Sequence, residues 1–232
     1  PVSMYVDYSI KQPTNPNTKN YAWLVESKTI NTDLYRWCEN NIDYLKQTFV
    51  SVFTHDVELS KLSEIFVLTL CSAKSFISSG DVYNKTKLVS MVASNKVMCE
   101  EHRVRQKIIN KYSQLCDHYG RGFNPIDNKS DGIKDYCFSF AMENATYSNM
   151  FTEKITDCFM TGTIPIYYGI PNIGDFFNEE GIIILDGDFN IDNLSFDLYN
   201  SKLNAVYDNF KISNELLVAE DYIYKHFLKY EI

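Results

Sequence analysis

Apolar residues in this chain fall in short runs separated by polar, turn-rich stretches. "YAWLVE" (Tyr21–Glu26), "FVSVFTH" (Phe49–His55) and "EIFVLTL" (Glu64–Leu70) are brief and rich in β-branched and aromatic residues, so each reads as a buried strand. Between the first two, Tyr35, Cys38, Ile42, Leu45 and Phe49 recur at helical spacing, with Asn31 or Thr32 as the cap. Strand, helix, strand is a βαβ unit. The polar stretch "SSGDVYNKTK" (residues 78–87) reads as a linker. Beyond it "LVSMVAS" (Leu88–Ser94) is a strand. A helix from about Glu100 then puts Val104, Ile108, Ile109, Tyr112, Leu115 and Cys116 on one face. "YGRGFNP" is a turn, and "DYCFSFAME" (Asp135–Glu143), "TIPIYYG" and "GIIILD" (Gly181–Asp186) are further strands. A helix beginning near Thr152 ends at Gly162. The C-terminal stretch is helical, with Leu216, Tyr222, Ile223, Phe227 and Tyr230 as apolar points. The alternation predicts an α/β chain with a mainly parallel sheet in each half, divided as 1–85 and 86–232. Such sheets take ligands outside the carboxyl ends of their strands.

Composition adds exclusions. The 232 residues are 45% hydrophobic and 22% charged, with 17 Tyr and 15 Phe, so a large and aromatic core is expected. A formal net charge of -8 argues against wrapping nucleic acid, but leaves room for a local basic site that takes a phosphorylated small molecule. Cys38, Cys71, Cys99, Cys116, Cys137 and Cys158 form no C-x-x-C pair, which argues against zinc and for free thiols in a reducing compartment. With no signal peptide and no apolar run of ~20 residues, the expected location is cytoplasmic, or peripheral to a membrane.

The candidate chemistry begins at "NMFTEKITDCFMTGTIPIYYG" (Asn149–Gly169). With Thr152 as the cap, Glu153 and Lys154 occupy the first helical turn. The helix dipole favours the glutamate there and disfavours the lysine by ~0.3–1 kcal/mol. Either a solvated lysine tolerates that cost, or Lys154 and the free backbone N–H groups of the junction hold a phosphate or pyrophosphate. Arg105, at the edge of its helix's apolar stripe with His102 one turn before it, either pairs with Glu101 or reaches a phosphate. Arg121 is a weaker phosphate candidate.

The segment "FSFAMENATYSNMFTEKITDCFMTGTIPIYYGIPNIGDFFN" (Phe138–Asn178) resembles the donor-binding segment of the family 10 glycosyltransferases, the α-1,3/1,4-fucosyltransferases and their relatives. Glu143-Asn144, Thr152-Glu153-Lys154 and Gly162 to Gly169 match in order and spacing, and "VASN…HRVR" (Val92–Arg105) resembles the strand and arginine upstream. The resemblance implies a GT-B fold, two Rossmann-like halves with the nucleotide held by the C-terminal one. It implies inverting transfer of fucose from GDP-fucose to a glycan acceptor, without a bound metal. Carried across by motif, Arg105 and Lys154 hold the diphosphate, and Asn144 and Glu153 contact the nucleotide and donor sugar. The chemistry suits these residue types. Cations stabilise the departing diphosphate, the Glu153 carboxylate stabilises positive charge on the sugar ring, and a base takes the acceptor's proton. The family's base is a glutamate in the N-terminal half. Glu26 is the candidate, with His55 and Asp56 as rivals. Three departures stand out. Met150 replaces a tyrosine, Tyr168 replaces a tryptophan, and the N-terminal half, residues 1–85, is short, so a reduced N-terminal half is expected. Two other readings stay open: a metal-dependent glycosyltransferase using Asp186-Gly187-Asp188, and a nucleotide- or glycan-binding domain without catalysis.

Overall fold

The computed structural model describes residues 1–70, 73–95 and 100–229, with the side chains of residues 100–102 left out. Cys71, Cys99, Tyr230 and the side chains of Glu101 and His102 therefore lie outside the described residues. The chain divides into two compact units. The first is Pro1–Ser72 with Tyr147–Met150 and Leu217–Ile232, and the second is Ala73–Thr146 with Phe151–Leu216.

The first unit carries a four-stranded sheet of β1 (Val2–Val6), β2 (Lys19–Trp23), β3 (Ser51–Thr54) and β4 (Phe66–Leu68), parallel and in that order. Alternate residues of its inner strands face opposite ways, and both faces are covered. Ala22 and Val52 meet Leu34, Tyr35, Cys38, Leu45 and Leu59 from α1 (Thr32–Asn40), α2 (Ile42–Thr48) and α3 (Val57–Leu62). Tyr21, Trp23 and Phe53 meet Ala219, Ile223 and Leu228 from the C-terminal segment. Cover on both faces is why these strands read as unbroken apolar runs. The helix expected across residues 35–49 is two helices. Asn41 (φ -127°, ψ 34°) breaks it, and its side-chain amide donates to the Trp37 carbonyl at 2.8 Å.

The second unit carries a five-stranded parallel sheet in the order β6-β5-β7-β8-β9. Its strands are β5 (Lys87–Val92), β6 (Asp117–Tyr119), β7 (Tyr136–Met142), β8 (Ile164–Tyr168) and β9 (Ile183–Ile184). After α4 (Glu100–Tyr112) the chain lays β6 on one side of β5, then crosses back to lay β7 on the other. That reversal opens a crevice at the carboxyl ends of β5 and β7. One face of the sheet is large and apolar: Val89, Met91, Phe138, Phe140, Ile164 and Ile166 pack with Ile109 and Tyr112 of α4. The other face is small where it meets α5 (Glu153–Phe159). Ser90 and Ser139, both buried, share a 2.9 Å hydrogen bond, and the Cys158 thiol of α5 bonds to Ser139. The helices α6 (Phe196–Ser201) and α7 (Leu203–Glu215) follow, and α8 (Ala219–Ile223) returns to the first unit. Cys38, Cys116, Cys137 and Cys158 are free thiols.

The polar stretch 78–87 belongs to the second unit, and Lys85 fixes it there. Its ammonium donates to the Lys134 and Thr161 carbonyls at 2.8 and 2.7 Å and to the Thr163 hydroxyl at 2.9 Å.

Gly162 stops α5 at φ +68°, and a Cβ there would lie 2.8 Å from the Val82 Cα. Gly162→Ala combines a left-handed backbone with a backbone clash, so it is expected to destabilise the second unit by about 1–3 kcal/mol. Urea unfolding followed by circular dichroism measures the loss.

Candidate functional site

The β5–β7 crevice holds a cavity of about 310 Å3. Its floor is the carboxyl end of the sheet: Val92 to Ser94 after β5, Gly120 and Arg121 after β6, and Phe140 and Met142 on β7. Gly120 (φ +120°) lets the β6 turn pass so close to β5 that a Cβ would stand 2.2 Å from the Ala93 carbonyl oxygen. Apart from Ile133 and Cys158, the remaining wall is charged. Arg105 comes from α4, Lys129 from the 3-10 turn Lys129–Gly132, and Glu153 and Lys154 from the first turn of α5. Three of the residues anticipated from the sequence, Arg105, Glu153 and Lys154, thus line one cavity, with Arg121, the weaker candidate, beside them.

The lysine placed against its helix dipole is held by carboxylates. Glu143, 1% exposed at the end of β7, accepts the Thr152 N–H at 2.9 Å on Oε1 and the Thr152 hydroxyl at 2.7 Å on Oε2. Lys154 Nζ lies 3.5 Å from Glu143 Oε2, 3.0 Å from Thr152 Oγ1 and 3.7 Å from Glu153 Oε1. Thr152 is the N-cap as expected, accepting the Lys154 N–H at 3.4 Å. Two carboxylates at such distances are each worth up to about 4 kcal/mol before desolvation at an effective dielectric near 20. That outweighs a dipole repulsion of under about 1 kcal/mol.

Glu153 sits between two ammonium groups. Its Oε1 is 3.6 Å from Lys129 Nζ as well as 3.7 Å from Lys154 Nζ. Burial pulls its carboxyl up, but Lys154 and Lys129 together hold it below the ordinary glutamate range. Lys129 in turn contacts Asp157 Oδ2 at 2.5 Å, and that carboxylate is fully buried. Burial pushes the cavity-lining Cys158 thiol up to about 12, so it is no nucleophile at neutral pH.

The other anticipated residues lie elsewhere. Asn144, half-buried, follows Glu143 but is not among the residues lining the cavity. Met150, at the position of the replaced tyrosine, is 4% exposed and groups with the first unit. Glu26 also belongs to the first unit, exposed on the bend after β2. Its N–H and that of Val25 point at Asp7 Oδ1, at 3.4 and 3.0 Å, and its carbonyl accepts the Tyr35 hydroxyl at 3.0 Å. The rivals to Glu26 have structural work. Asp56 caps α3 by accepting the Leu59 N–H at 2.7 Å. His55 is 1% exposed, with Nε2 at 3.2 Å from the Tyr147 hydroxyl, and burial lowers its pKa to about 4. In Asp186-Gly187-Asp188, Asp186 accepts the Asp188 N–H at 3.0 Å, as in an ordinary turn. Among the described residues no group of three or more His, Cys, Asp or Glu side chains is arranged to hold a metal. Nor is any helix among them long and apolar enough to cross a membrane.

Lys129 was not anticipated. It lies in the polar turn "DNKSDG", where no periodicity marks it, and its only sequence signal is a cation far from any motif. Glu143 was visible as a motif residue, but its anchoring role was not.

The residues that line the cavity fall within the part of the chain that is similar to a known family. The profile of "Glycosyltransferase family 10 (fucosyltransferase) C-term" matches residues 82–210. The alpha-(1,3)-fucosyltransferase FucT of Helicobacter pylori is 31% identical over 94 residues, 38% of this chain and 20% of that enzyme. The human GDP-fucose protein O-fucosyltransferase 3 is 36% identical over 70 residues, 28% of this chain and 15% of that protein. Each alignment therefore spans a fifth or less of the relative's length. A crystal structure of an alpha1,3-fucosyltransferase with GDP superposes with a TM-score of 0.52 at 18% identity, covering 84% of this chain and 68% of that one. The shared fold is GT-B-like: two mainly parallel, Rossmann-like sheets, the N-terminal one smaller.

Two measurements probe these buried groups. His55 binds its proton near pH 4 when folded and near 6.5 when unfolded, so between those values the unfolded chain holds the extra proton. Stability is therefore expected to fall as pH drops from 6.5 towards 4, by about 3 kcal/mol in all. Urea unfolding across that range reads the slope, and His55→Asn should flatten it. Glu143→Gln leaves Lys154 without its buried counter-charge. We expect a loss of about 1–3 kcal/mol by the same assay.

Proposed function

The chain belongs to glycosyltransferase family 10, and from that premise we propose that it transfers a sugar, fucose as first choice, from a GDP-sugar to a glycan acceptor with inversion. The observation that carries this reading is the cavity at the strand-order reversal, where Arg105, Arg121, Lys129 and Lys154 surround one carboxylate, Glu153. An acidic chain that gathers four cations on one small cavity has built a site for a compact anion. At about 310 Å3 it lies at the lower end of small-ligand sites, which run from ~300 to ~1,000 Å3.

In this reading the diphosphate of the donor lies against Arg105 and Lys154, with Arg121 at the exposed side. As the glycosidic bond to phosphate breaks, negative charge grows on the departing diphosphate, and fixed cations stabilise it without reorganising. Positive charge grows on the sugar ring at the same time. Glu153, ionised at neutral pH between its two lysines, is the carboxylate available to that charge. Asn144 supplies a polar contact to the nucleotide or donor sugar. Inversion needs a base for the acceptor hydroxyl, and we assign that role to Glu26 on the exposed bend after β2. The donor chemistry assigned here uses protein cations and needs no metal.

Titration calorimetry with GDP tests the assignment. Arg105→Ala and Lys154→Ala should each weaken binding by about 10- to 100-fold, the worth of a charged hydrogen bond, while circular dichroism stays native. Unchanged affinity in both would remove the donor site from this cavity. Glu26→Gln should bind GDP normally and lose turnover. Full turnover in that variant would remove the base assignment alone.

A further inference from the structure

We propose that Lys129 is a positioning residue for Glu153: pinned by the buried Asp157, its ammonium holds the Glu153 carboxylate at the cavity wall as an anion. Lys129 Nζ lies 2.5 Å from Asp157 Oδ2 and 3.6 Å from Glu153 Oε1. Asp157 is anchored on its far side, where Oδ1 accepts the Ser75 hydroxyl at 2.5 Å and the Phe76 N–H at 2.8 Å. Asp157 therefore cannot follow Lys129, and Lys129 is tethered where it reaches Glu153. The ammonium end of the tether also lies over an aromatic ring, with Nζ 5.6 Å from the centroid of Phe76.

Stability alone does not account for the pair. Burying a carboxylate with an ammonium costs several kcal/mol per ion in desolvation, and an apolar pair of similar volume would commonly serve the fold as well. The third member is what the pair adds. On the other side of Glu153 the arrangement repeats, since Lys154 is anchored by the buried Glu143. The charged groups around Glu153 are thus Lys154 on its own helix, Lys129 on the 3-10 turn, Arg105 and Arg121 across the cavity, Glu143 behind Lys154, and Asp157 one helical turn on. Burial opposes the Glu153 charge and the two lysines restore it. Lys154 is divided between Glu143 and Glu153 just as Lys129 is divided between Asp157 and Glu153, so neither lysine alone is given over to Glu153: Lys154 contributes more and Lys129 adds to it.

The purpose assigned to this device, a carboxylate kept charged beside a donor sugar, rests on the donor-site reading, but its titration can be read without ligand. The experiment follows the Glu153 carboxyl carbon by NMR in protein labelled with 13C-glutamate, assigned by its loss in Glu153→Gln. It compares the unaltered chain with Lys129→Met, Lys129→Arg and the double variant Lys129→Met/Asp157→Asn, in which no buried charge is left unpaired. We expect the Glu153 titration to move to higher pH in Lys129→Met and in the double variant, and to be restored in Lys129→Arg. A titration unmoved in the folded double variant overturns the proposal, whatever the single variant does. If the unaltered chain binds no GDP while the titration still depends on Lys129, the donor reading fails and the positioning role stands.

Discussion

A carboxylate taken wholly out of water must be paired, and much of this site follows from that demand at Glu143. The residue directly follows the central strand β7, which is flanked by β5 and β8. Its N–H donates to the Tyr168 carbonyl at the end of β8, where solvent cannot reach it. Its two oxygens are spent on the N–H and hydroxyl of Thr152. That contact closes the excursion between β7 and α5 and sets where the helix begins. It also fixes the rotation of α5, so that Glu153 and Lys154 both open onto the cavity while Ile155, Thr156 and Phe159 are buried away from it. A charge burial that is costly in isolation becomes the device that orients a functional turn.

From Glu143 the charges alternate in sign through Lys154, Glu153 and Lys129 to Asp157, whose carboxylate is as inaccessible as the first. Each end of the series is rooted in the interior, and only the middle three members meet the cavity. Left to itself this series carries one surplus negative charge, with three carboxylates against two lysines. Arg105 and Arg121, from α4 and the β6 turn, reverse that balance. The surplus of positive charge at the cavity thus depends on the arginines arriving from across the strand-order reversal. The lysines and carboxylates set geometry as much as charge.

The inner strands could be read from the sequence because burial on both faces leaves an uninterrupted apolar run, as in "YCFSFAM" and "IPIYY". Two strands left no such mark. β1 alternates between half-buried and exposed residues, and β6 is only Asp117–Tyr119. Both lie at a sheet edge, where one side needs no partner and the hydrophobic demand is weakest. The site was legible to the same degree. Arg105, Glu153 and Lys154 stood out because their neighbours formed spaced motifs. Lys129 is brought to Glu153 by the path of a polar turn, which no periodicity encodes. The two-helix break at Asn41 was missed for a related reason, since apolar spacing continues through it while the backbone does not.

The contrast between the chain's charge and that of its cavity narrows what can enter. A formal net charge of -8 repels extended polyanions over the whole surface, so contact with one strand of phosphates would be opposed by many side chains at once. At 0.1 M salt that field fades within about 10 Å, while the cavity cations act at contact distances on whatever has already entered. A small anion carrying two or three charges crosses the weak outer field at little cost and gains the full inner one. The sugar end of such a ligand has different needs, for a neutral ring gains nothing from arginine. It gains from Glu153 only once positive charge begins to form. On the proposed donor-site reading, the cations would hold the phosphorylated donor and the carboxylate would be reserved for the transition state, which is the division of labour that catalysis by differential binding requires.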